Sequence, residues 1–141
     1  MNYGNLVRLY FERSNSLQWY WTLYVVIIGG LLAFSSLRKR PDLITAVLVS
    51  VLYVCFAYKN AGAILEVTEQ RSAVLETMKQ SFPTGPDAPI SGALKQSIEP
   101  TLRPTGYGGV RNFHIACDVL TVLTLWAMEL RRWRAKDAAR P

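Results

Sequence analysis

No charged side chain interrupts the stretch SNSLQWYWTLYVVIIGGLLAFSSL, residues 14–37. An α-helix rises about 1.5 Å per residue, so about 20 residues cross a hydrocarbon layer about 30 Å thick. The stretch therefore predicts a first transmembrane helix over residues 17–37. A cleaved signal peptide is the alternative. Its apolar core is usually shorter than this one, and the Trp-Tyr-Trp cluster at the start favours an uncleaved anchor.

Two further runs have the composition of membrane spans. Residues 43–58 carry no charge, but 16 residues reach only about 24 Å, so this span has to continue past Lys59 and Asn60 to about Gly62. Residues 112–130 form the third run. A soluble helical bundle is the alternative, but three such runs in 141 residues leave too little polar surface to cover them. We predict an all-α membrane protein, one integral membrane domain over residues 1–141, with three transmembrane helices.

The distribution of basic residues predicts the orientation. The net charge is +6, and eight of the 16 Lys and Arg residues crowd the short turn at 38–41 and the tail at 131–141. The other eight are spread over 1–16 and 59–111. Dense basic residues beside a membrane face the cytoplasm, which predicts an N-out, C-in topology in the bacterial cytoplasmic membrane. The basic composition then needs no nucleic acid, and anionic lipid head groups are the expected partners of Arg38, Lys39, Arg40, Arg131, Arg132 and Arg134.

The segments predicted outside the membrane are of two kinds. Apolar residues at three-to-four spacing over 61–81 predict that the second helix, starting at residue 42, continues beyond the outer face to residue 81. This extension either covers the chain's own outer loop or pairs with the same helix of a neighbouring subunit. Residues 82–111 contain five of the seven prolines and a cluster of glycines, which excludes a long helix. This Pro/Gly-rich outer loop is a candidate partner-binding or lid element.

Polar residues inside the predicted spans are the main functional signal. His114 and Asp118 share one face of the third helix, and an unpaired carboxylate at the depth of Asp118 costs several kcal/mol. We expect it to contact His114 or Lys59, in a polar cluster of Lys59, Asn60, His114 and Asp118. An inter-helix clamp is the interpretation we favour, and a proton or ion path is the alternative. Glu129 lies at the end of its run, where an acidic residue is ordinary.

Small residues recur along the first two spans at a spacing that lets helix backbones approach closely. They build the seams of the three-helix bundle or contact other subunits, and we expect part of this surface to serve other subunits. The predicted helix-packing residues are Gly29, Ala33, Ser36, Ala46, Ser50, Ala57 and Ala61.

The sequence contains no motif of a catalytic or metal site. G-x-S-x-G and P-loop patterns are absent, and the single histidine, with Cys117 and Asp118 close behind it, does not have the spacing of a zinc site. We therefore predict no metal, no cofactor and no enzymatic activity. A small three-span chain of this kind is expected to be an accessory or scaffold subunit of a homo-oligomer or a larger membrane complex.

Two other functions fit the same layout. Three spans, an outer N-terminus and a charged inner tail make the chain similar to class I phage holins in topology and composition. That resemblance implies a homo-oligomeric pore, with Lys59, His114 and Asp118 near its outer mouth; an ion-conducting channel is a variant of the same idea. The other function is that of a membrane sensor that binds a ligand or partner through the outer loop.

Overall fold

The computed structural model describes residues 3–81, Ser97, Leu102 and residues 107–138. Three long helices make up most of these: α1 is Tyr3–Leu37, α2 is Leu43–Ser81 and α3 is Tyr107–Ala138. Their 35, 39 and 32 residues correspond to about 52, 58 and 48 Å. Each helix contains a stretch long and apolar enough to cross a membrane. The prediction of an all-helical chain with three such helices is confirmed, and it indicates an integral membrane protein.

α1 begins 14 residues before the predicted span, at Tyr3. Its charged first third is helical because an apolar stripe of Tyr3, Leu6 and Tyr10 packs against α2. On the exposed side of this segment, Arg8 Nε donates to Glu12 Oε1 at 2.9 Å. The sequence predicts only an outer N-terminal segment over residues 1–16, because the uncharged run by which the first span is recognised begins later than the helix.

α3 also exceeds its predicted span at both ends. It begins at Tyr107, so residues 107–111 of the predicted outer loop are helical, and it continues to Ala138 through most of the predicted basic tail. Apart from Ser97 and Leu102, residues 82–106 fall outside the described part of the chain. The predicted lid or partner-binding role of the outer loop therefore lies on residues that the structure does not describe.

The short connection 38–42 makes α1 and α2 antiparallel neighbours, and α3 packs against both. We call the end that holds this connection and residues 131–138 the basic end, and the opposite end the distal end. Three groups of buried residues lie along the bundle. An apolar core lies at the distal end, a polar cluster around Asp118 lies in the middle third, and a charged cluster around Glu129 lies at the basic end.

The distal core joins the beginning of α1 to the end of α2. Tyr3, Leu6 and Tyr10 of α1 pack against Leu75 and Met78 of α2, and Leu102 closes the same core. The extension of α2 is therefore covered mainly by α1, a partner that neither sequence-based alternative considered. The outer-loop segment contributes through Leu102, as the first of those alternatives expected.

A polar contact completes the distal core. The Tyr10 hydroxyl donates to the Leu102 carbonyl at 2.5 Å and accepts from Arg71 Nη2 at 2.8 Å. The Arg71 guanidinium also lies 4.9 Å from the centre of the Tyr10 ring. Arg71 interrupts the apolar stripe of α2, and the phenol of Tyr10 is what allows a cation to pack at this position.

The rest of the bundle surface is largely apolar. Within the most apolar window of each helix, only 11%, 17% and 22% of the residues are buried inside the chain. Large aliphatic and aromatic side chains face outward, as they do on helices surrounded by lipid. Examples on the three helices are Val25, Val26, Phe34, Leu48, Leu52, Phe113, Leu120 and Leu123.

The small-residue stripes of the two helices differ in burial. On α2, Ala57 is buried, and Ala46, Ser50 and Ala61 are half-buried. On α1, Gly29, Ala33 and Ser36 are all exposed, and a Cβ added at Gly29 would meet no atom within 4 Å. The α1 stripe is therefore not a seam within this chain. α1 turns inward the face that carries Tyr24 and Ser35, because the Tyr24 hydroxyl finds polar partners there.

Candidate functional site

Asp118 lies where all three helices meet. Its Oδ1 accepts two hydrogen bonds of 2.7 Å, from the hydroxyls of Tyr24 on α1 and Tyr53 on α2. Its Oδ2 lies 2.8 Å from Nδ1 of His114, one turn earlier on α3. One carboxylate thus accepts from three side chains on three helices, and we call Tyr24, Tyr53, Asn60, His114 and Asp118 the Asp118 cluster.

His114 is held on both sides of its ring. Only 3% of its surface is exposed, and Nε2 lies 3.3 Å from Nδ2 of Asn60 on α2. An amide nitrogen can only donate, so Nε2 acts as the acceptor and the ring proton sits on Nδ1, from which it is donated to Asp118. The Tyr24 ring covers the imidazole at a centroid distance of 4.1 Å.

The cluster solves the energetic problem that Asp118 poses. An unpaired charge inside a bilayer costs several kcal/mol, and buried polar groups need hydrogen-bond partners. Three donors converge on Asp118, and Tyr24, Tyr53, Asn60 and His114 are themselves buried. Chemically, the arrangement ties α1, α2 and α3 together at one depth in the bundle.

The structure brings together three of the four residues of the predicted polar cluster. Asn60, His114 and Asp118 form a hydrogen-bonded series. Lys59 is exposed, and it pairs with no carboxylate in the described ranges, so the anticipated Lys59–Asp118 contact does not form. Consecutive helical residues point about 100° apart, and Asn60 takes the inward position. The other anticipated contact, between His114 and Asp118, is present.

Tyr24 and Tyr53 are the cluster residues that sequence reasoning missed. The sequence places Tyr24 together with Trp19, Tyr20 and Trp21 in an aromatic anchor at the outer membrane surface. In the structure Trp19 is exposed, but Tyr24 faces the interior. A usable signal was present for Tyr53, which precedes Asn60 by two helical turns and so shares its face.

A second polar cluster closes the basic end of the bundle. Glu129 of α3 is only 2% exposed, and its Oε2 lies 2.8 Å from Nη1 of Arg132 and 3.6 Å from Nη1 of Arg38. Its Oε1 accepts the backbone N–H of Asp42 at 2.6 Å. Arg132 in turn donates to the carbonyls of Ser35 and Arg38, where α1 ends. Glu129 and Arg132 thus fix the connection between α1 and α2 onto α3.

One sequence-based expectation changes at this end. Glu129, expected to be an ordinary residue at the end of a span, is one of the most buried residues of the described chain. Arg38 and Arg132, which were predicted to contact lipid head groups, form ion pairs with Glu129, and their side chains are 16% and 11% exposed. A buried carboxylate attracts the nearest cations, and carbonyls left free at a helix end accept from arginine. Lys39, Arg40, Arg131 and Arg134 remain exposed.

Asp42 caps the beginning of α2. Its Oδ2 accepts from the Thr45 hydroxyl at 2.5 Å, and its Oδ1 accepts from the Thr45 backbone N–H at 3.2 Å. These bonds favour the ionised form, so the hydrogen bond from the Thr45 hydroxyl, followed by that from its N–H, lowers the pKa of Asp42 below its ordinary value of 3.8. This carboxylate lies in the connection that precedes the helix.

Asp118 is not fully enclosed by its partners. Its side chain is 23% exposed, and it borders two adjoining crevices between α2 and α3, of about 370 and 380 Å³. Both crevices are otherwise mainly apolar and open sideways, and Ala57 and Tyr58 line both of them. The cluster can therefore be reached from the flank of the bundle.

Comparison of the chain with protein-family models, curated proteins and solved structures finds no match in any of the three.

Proposed function

We propose that this chain is a non-enzymatic scaffold or accessory subunit of a homo-oligomer or larger complex in a membrane. The observation that carries the proposal is the closure of three helices around Asp118, whose carboxylate accepts from Tyr24, Tyr53 and His114. Such a network favours a fixed arrangement of helices and so a rigid body with defined outer faces. In this function the Asp118 cluster is an inter-helix clamp.

The free surface of the bundle supports assembly. The α1 face around Gly29 and Ala33 is uncovered within the chain, and small residues four apart allow a second helix to approach closely in lipid. Among protein oligomers in general, homo-oligomers with closed symmetry are the commonest kind. The proposed role is therefore to present this face to another copy of the chain or to another membrane protein.

The proposed orientation places the basic end in the cytoplasm and the N-terminus outside, in a bacterial cytoplasmic membrane. It is supported by the eight basic residues concentrated at residues 38–41 and 131–141. A reporter that is active only in the cytoplasm, fused after Pro141, is expected to be active. If the same reporter is active only when it is fused before Met1, the orientation is the opposite of the proposed one.

Native mass spectrometry of the full chain extracted from its own membrane tests the scaffold role. We expect one fixed stoichiometry, either several copies of the chain or the chain with a constant companion. A monomer that carries only lipid after gentle extraction would contradict the proposal.

Two neighbouring glycines provide matched variants for the proposed contact face. A Cβ at either Gly29 or Gly30 meets no atom of the same chain within 4 Å, and both positions are exposed on the outer side of α1. Gly29→Leu is expected to lower the assembled fraction, because it fills the Gly29–Ala33 face. Gly30→Leu, whose side chain points about 100° away, is expected to retain assembly. Equal effects of the two variants on the assembled fraction would show that the Gly29–Ala33 face is not the contact face.

A homo-oligomeric pore is the second candidate, and the exposed edge of Asp118 favours it. The carboxylate borders crevices that open to the flank of the bundle, where a neighbouring copy can complete a polar lining. Inside the single chain, by contrast, the buried residues of α3 between Asp118 and Glu129 are Thr121 and Leu125, and the Thr121 hydroxyl bonds to its own helix at Cys117. A path through one bundle is thus interrupted by an apolar side chain.

Flux through liposomes that contain the purified chain separates the two functions. A pore predicts ion flux that Asp118→Asn abolishes and that Leu52→Val, a change at an exposed position of α2 outside both crevices, leaves intact. A scaffold predicts no flux from either protein and a lower yield of assembled chain for Asp118→Asn. Flux that both variants retain would argue against a role of Asp118 in conduction.

A further inference from the structure

A large cavity at the basic end is strongly cationic. Its volume is about 860 Å³, within the range of small-molecule sites. Its lining includes Ser36 and Met128 on the side of the apolar bundle and contains no carboxylate from the described residues. Six lining residues are basic: Arg38, Lys39, Arg40, Arg131, Arg132 and Lys136.

The positive charge of the cavity is only partly compensated. Glu129, behind the cavity wall, pairs with Arg38 and Arg132 and holds these two side chains in place. Lys39, Arg40 and Arg131 are exposed, and no carboxylate of the described residues lies within ion-pair distance of them. The cavity therefore combines a fixed floor with free cations at its rim, as a site for an anion with more than one charge requires.

We propose that this cavity binds an anion that carries phosphate groups, and that its resident ligand is the head group of an anionic membrane lipid. Arginine donates to phosphate oxygens in pairs, and lysine supplies compact positive charge. The volume exceeds what one phosphate needs, which favours a head group with two phosphates. Basic pockets between membrane helices bind anionic lipid head groups of this kind.

The surroundings of the cavity favour a lipid over a free anion. Leu37, next to Ser36, is 79% exposed, and Leu43 and Leu130 are exposed close to other cationic residues of the lining. A phosphate head group in the cavity thus leaves its acyl chains beside apolar side chains. The inference rests on the proposed membrane location, but not on assembly with other subunits. Compared with the head-group contacts that the sequence suggested, it adds Lys136 and leaves out Arg134.

The experiment measures binding of cardiolipin, which carries two phosphates, and of phosphatidylglycerol, which carries one. The full chain is incorporated in phosphatidylcholine nanodiscs with increasing fractions of either lipid, and bound lipid is counted by native mass spectrometry. Arg131→Gln is compared with Arg134→Gln, because both positions are exposed near the end of α3 but only Arg131 lines the cavity. We expect tighter binding of cardiolipin and a loss of about fivefold for Arg131→Gln. Arg134→Gln is expected to change binding less than twofold.

Each of the other possible outcomes would contradict the site or assign it to a different ligand. Equal losses for the two variants, or no loss for either, would overturn the site in favour of diffuse attraction by the basic end. Inorganic pyrophosphate is added at millimolar concentration as a competitor. If it displaces cardiolipin and binds the chain equally tightly when no anionic lipid is present, the cavity is a phosphate site for a free anion and not for a lipid. Both variants leave the Glu129 ion pairs untouched, and circular dichroism of the inserted chain checks the fold. If the chain does not insert into the nanodisc, the proposed membrane location is contradicted. If it inserts but does not bind cardiolipin, only this inference is contradicted.

Discussion

Glu129 Oε1 accepts the backbone N–H of Asp42 at 2.6 Å, so a buried side chain of α3 holds the residue immediately before α2. The other oxygen of the same carboxylate faces Arg132 and Arg38. A single acidic side chain therefore joins the end of α1, the start of α2 and the last turns of α3. This contact fixes the short connection at the basic end and shapes the floor of the cationic cavity.

Glu129→Gln is expected to lower the free energy of unfolding by about 3 kcal/mol. The amide oxygen can still accept the Asp42 N–H, but Arg132 and Arg38 then lack their buried counter-charge, and leaving one partner of a buried pair uncompensated costs this much. Reversible unfolding in mixed micelles with increasing SDS measures the change.

Asp137→Asn is the matched control for Glu129→Gln. Asp137 lies on the exposed surface of the last turns of α3, and its replacement is expected to change stability by less than about 0.5 kcal/mol. In a double-mutant cycle, Glu129→Gln and Arg132→Gln should be non-additive, since the two side chains form one ion pair. Additive effects would show that the pair contributes little to stability.

Tyr24→Phe and Tyr53→Phe are each expected to destabilise the bundle by about 1 kcal/mol. Each variant removes one donor to Asp118 Oδ1, and hydrogen bonds between membrane helices contribute about this amount. The double variant should cost more than the sum, because either tyrosine alone still satisfies that oxygen. Unfolding in SDS is again the measurement. Tyr58→Phe is the control, since Tyr58 is 76% exposed on the same helix as Tyr53, and an equal loss there would contradict the clamp.

The sequence predicted where the helices lie better than it predicted which face of each helix points into the bundle. Long uncharged runs specify a membrane helix because hydrocarbon requires every backbone group to bond within its own segment. The rotation of each helix depends on which polar side chains find partners, and those partners are 65 to 94 residues away along the chain. Asn60 and His114 were found from the sequence, but the choice between Lys59 and two tyrosines as partners of Asp118 needed the packed bundle.

The same reasoning explains why the basic end was only half predicted. Counting Lys and Arg gives the charge of the region, but not which cations turn inward. Glu129 decides that, and its burial follows from the close approach of the connection 38–42 to α3. The N-terminal extension of α1 was missed because its charged residues hide an apolar stripe, Tyr3, Leu6 and Tyr10, that only the end of α2 completes.

Met78→Ala is expected to open the distal core without loosening the middle of the bundle. Met78 is fully buried between α1 and α2, and truncating such a side chain costs about 3 kcal/mol through lost contacts and a residual cavity. Amide hydrogen exchange should accelerate in residues 3–16 and 64–81, while the amides around Tyr53 keep their protection. Glu76→Ala, an exposed position on the same helix, is the control and should leave exchange unchanged. Faster exchange throughout the three helices would show that the distal core is not a separate unit.

Acid should remove the stabilising effect of the Asp42 cap. The Thr45 hydroxyl and N–H lower the pKa of Asp42 in the folded chain below the ordinary value of 3.8, so folding favours the ionised carboxylate. The resulting stabilisation is present above that ordinary value and is lost as the pH falls through the lower, folded pKa. Asp42→Asn keeps a capping side chain without a titrating group, so the chain should be more stable than this variant at neutral pH and should lose that advantage under strong acid.

Thr45→Val removes the hydroxyl that contributes most to lowering the pKa of Asp42. The stability advantage over Asp42→Asn should then be lost at higher pH. Thermal unfolding in detergent from about pH 7 to about pH 2 measures the differences. A stability difference between the chain and Asp42→Asn that stays constant over this range would contradict the proposed cap.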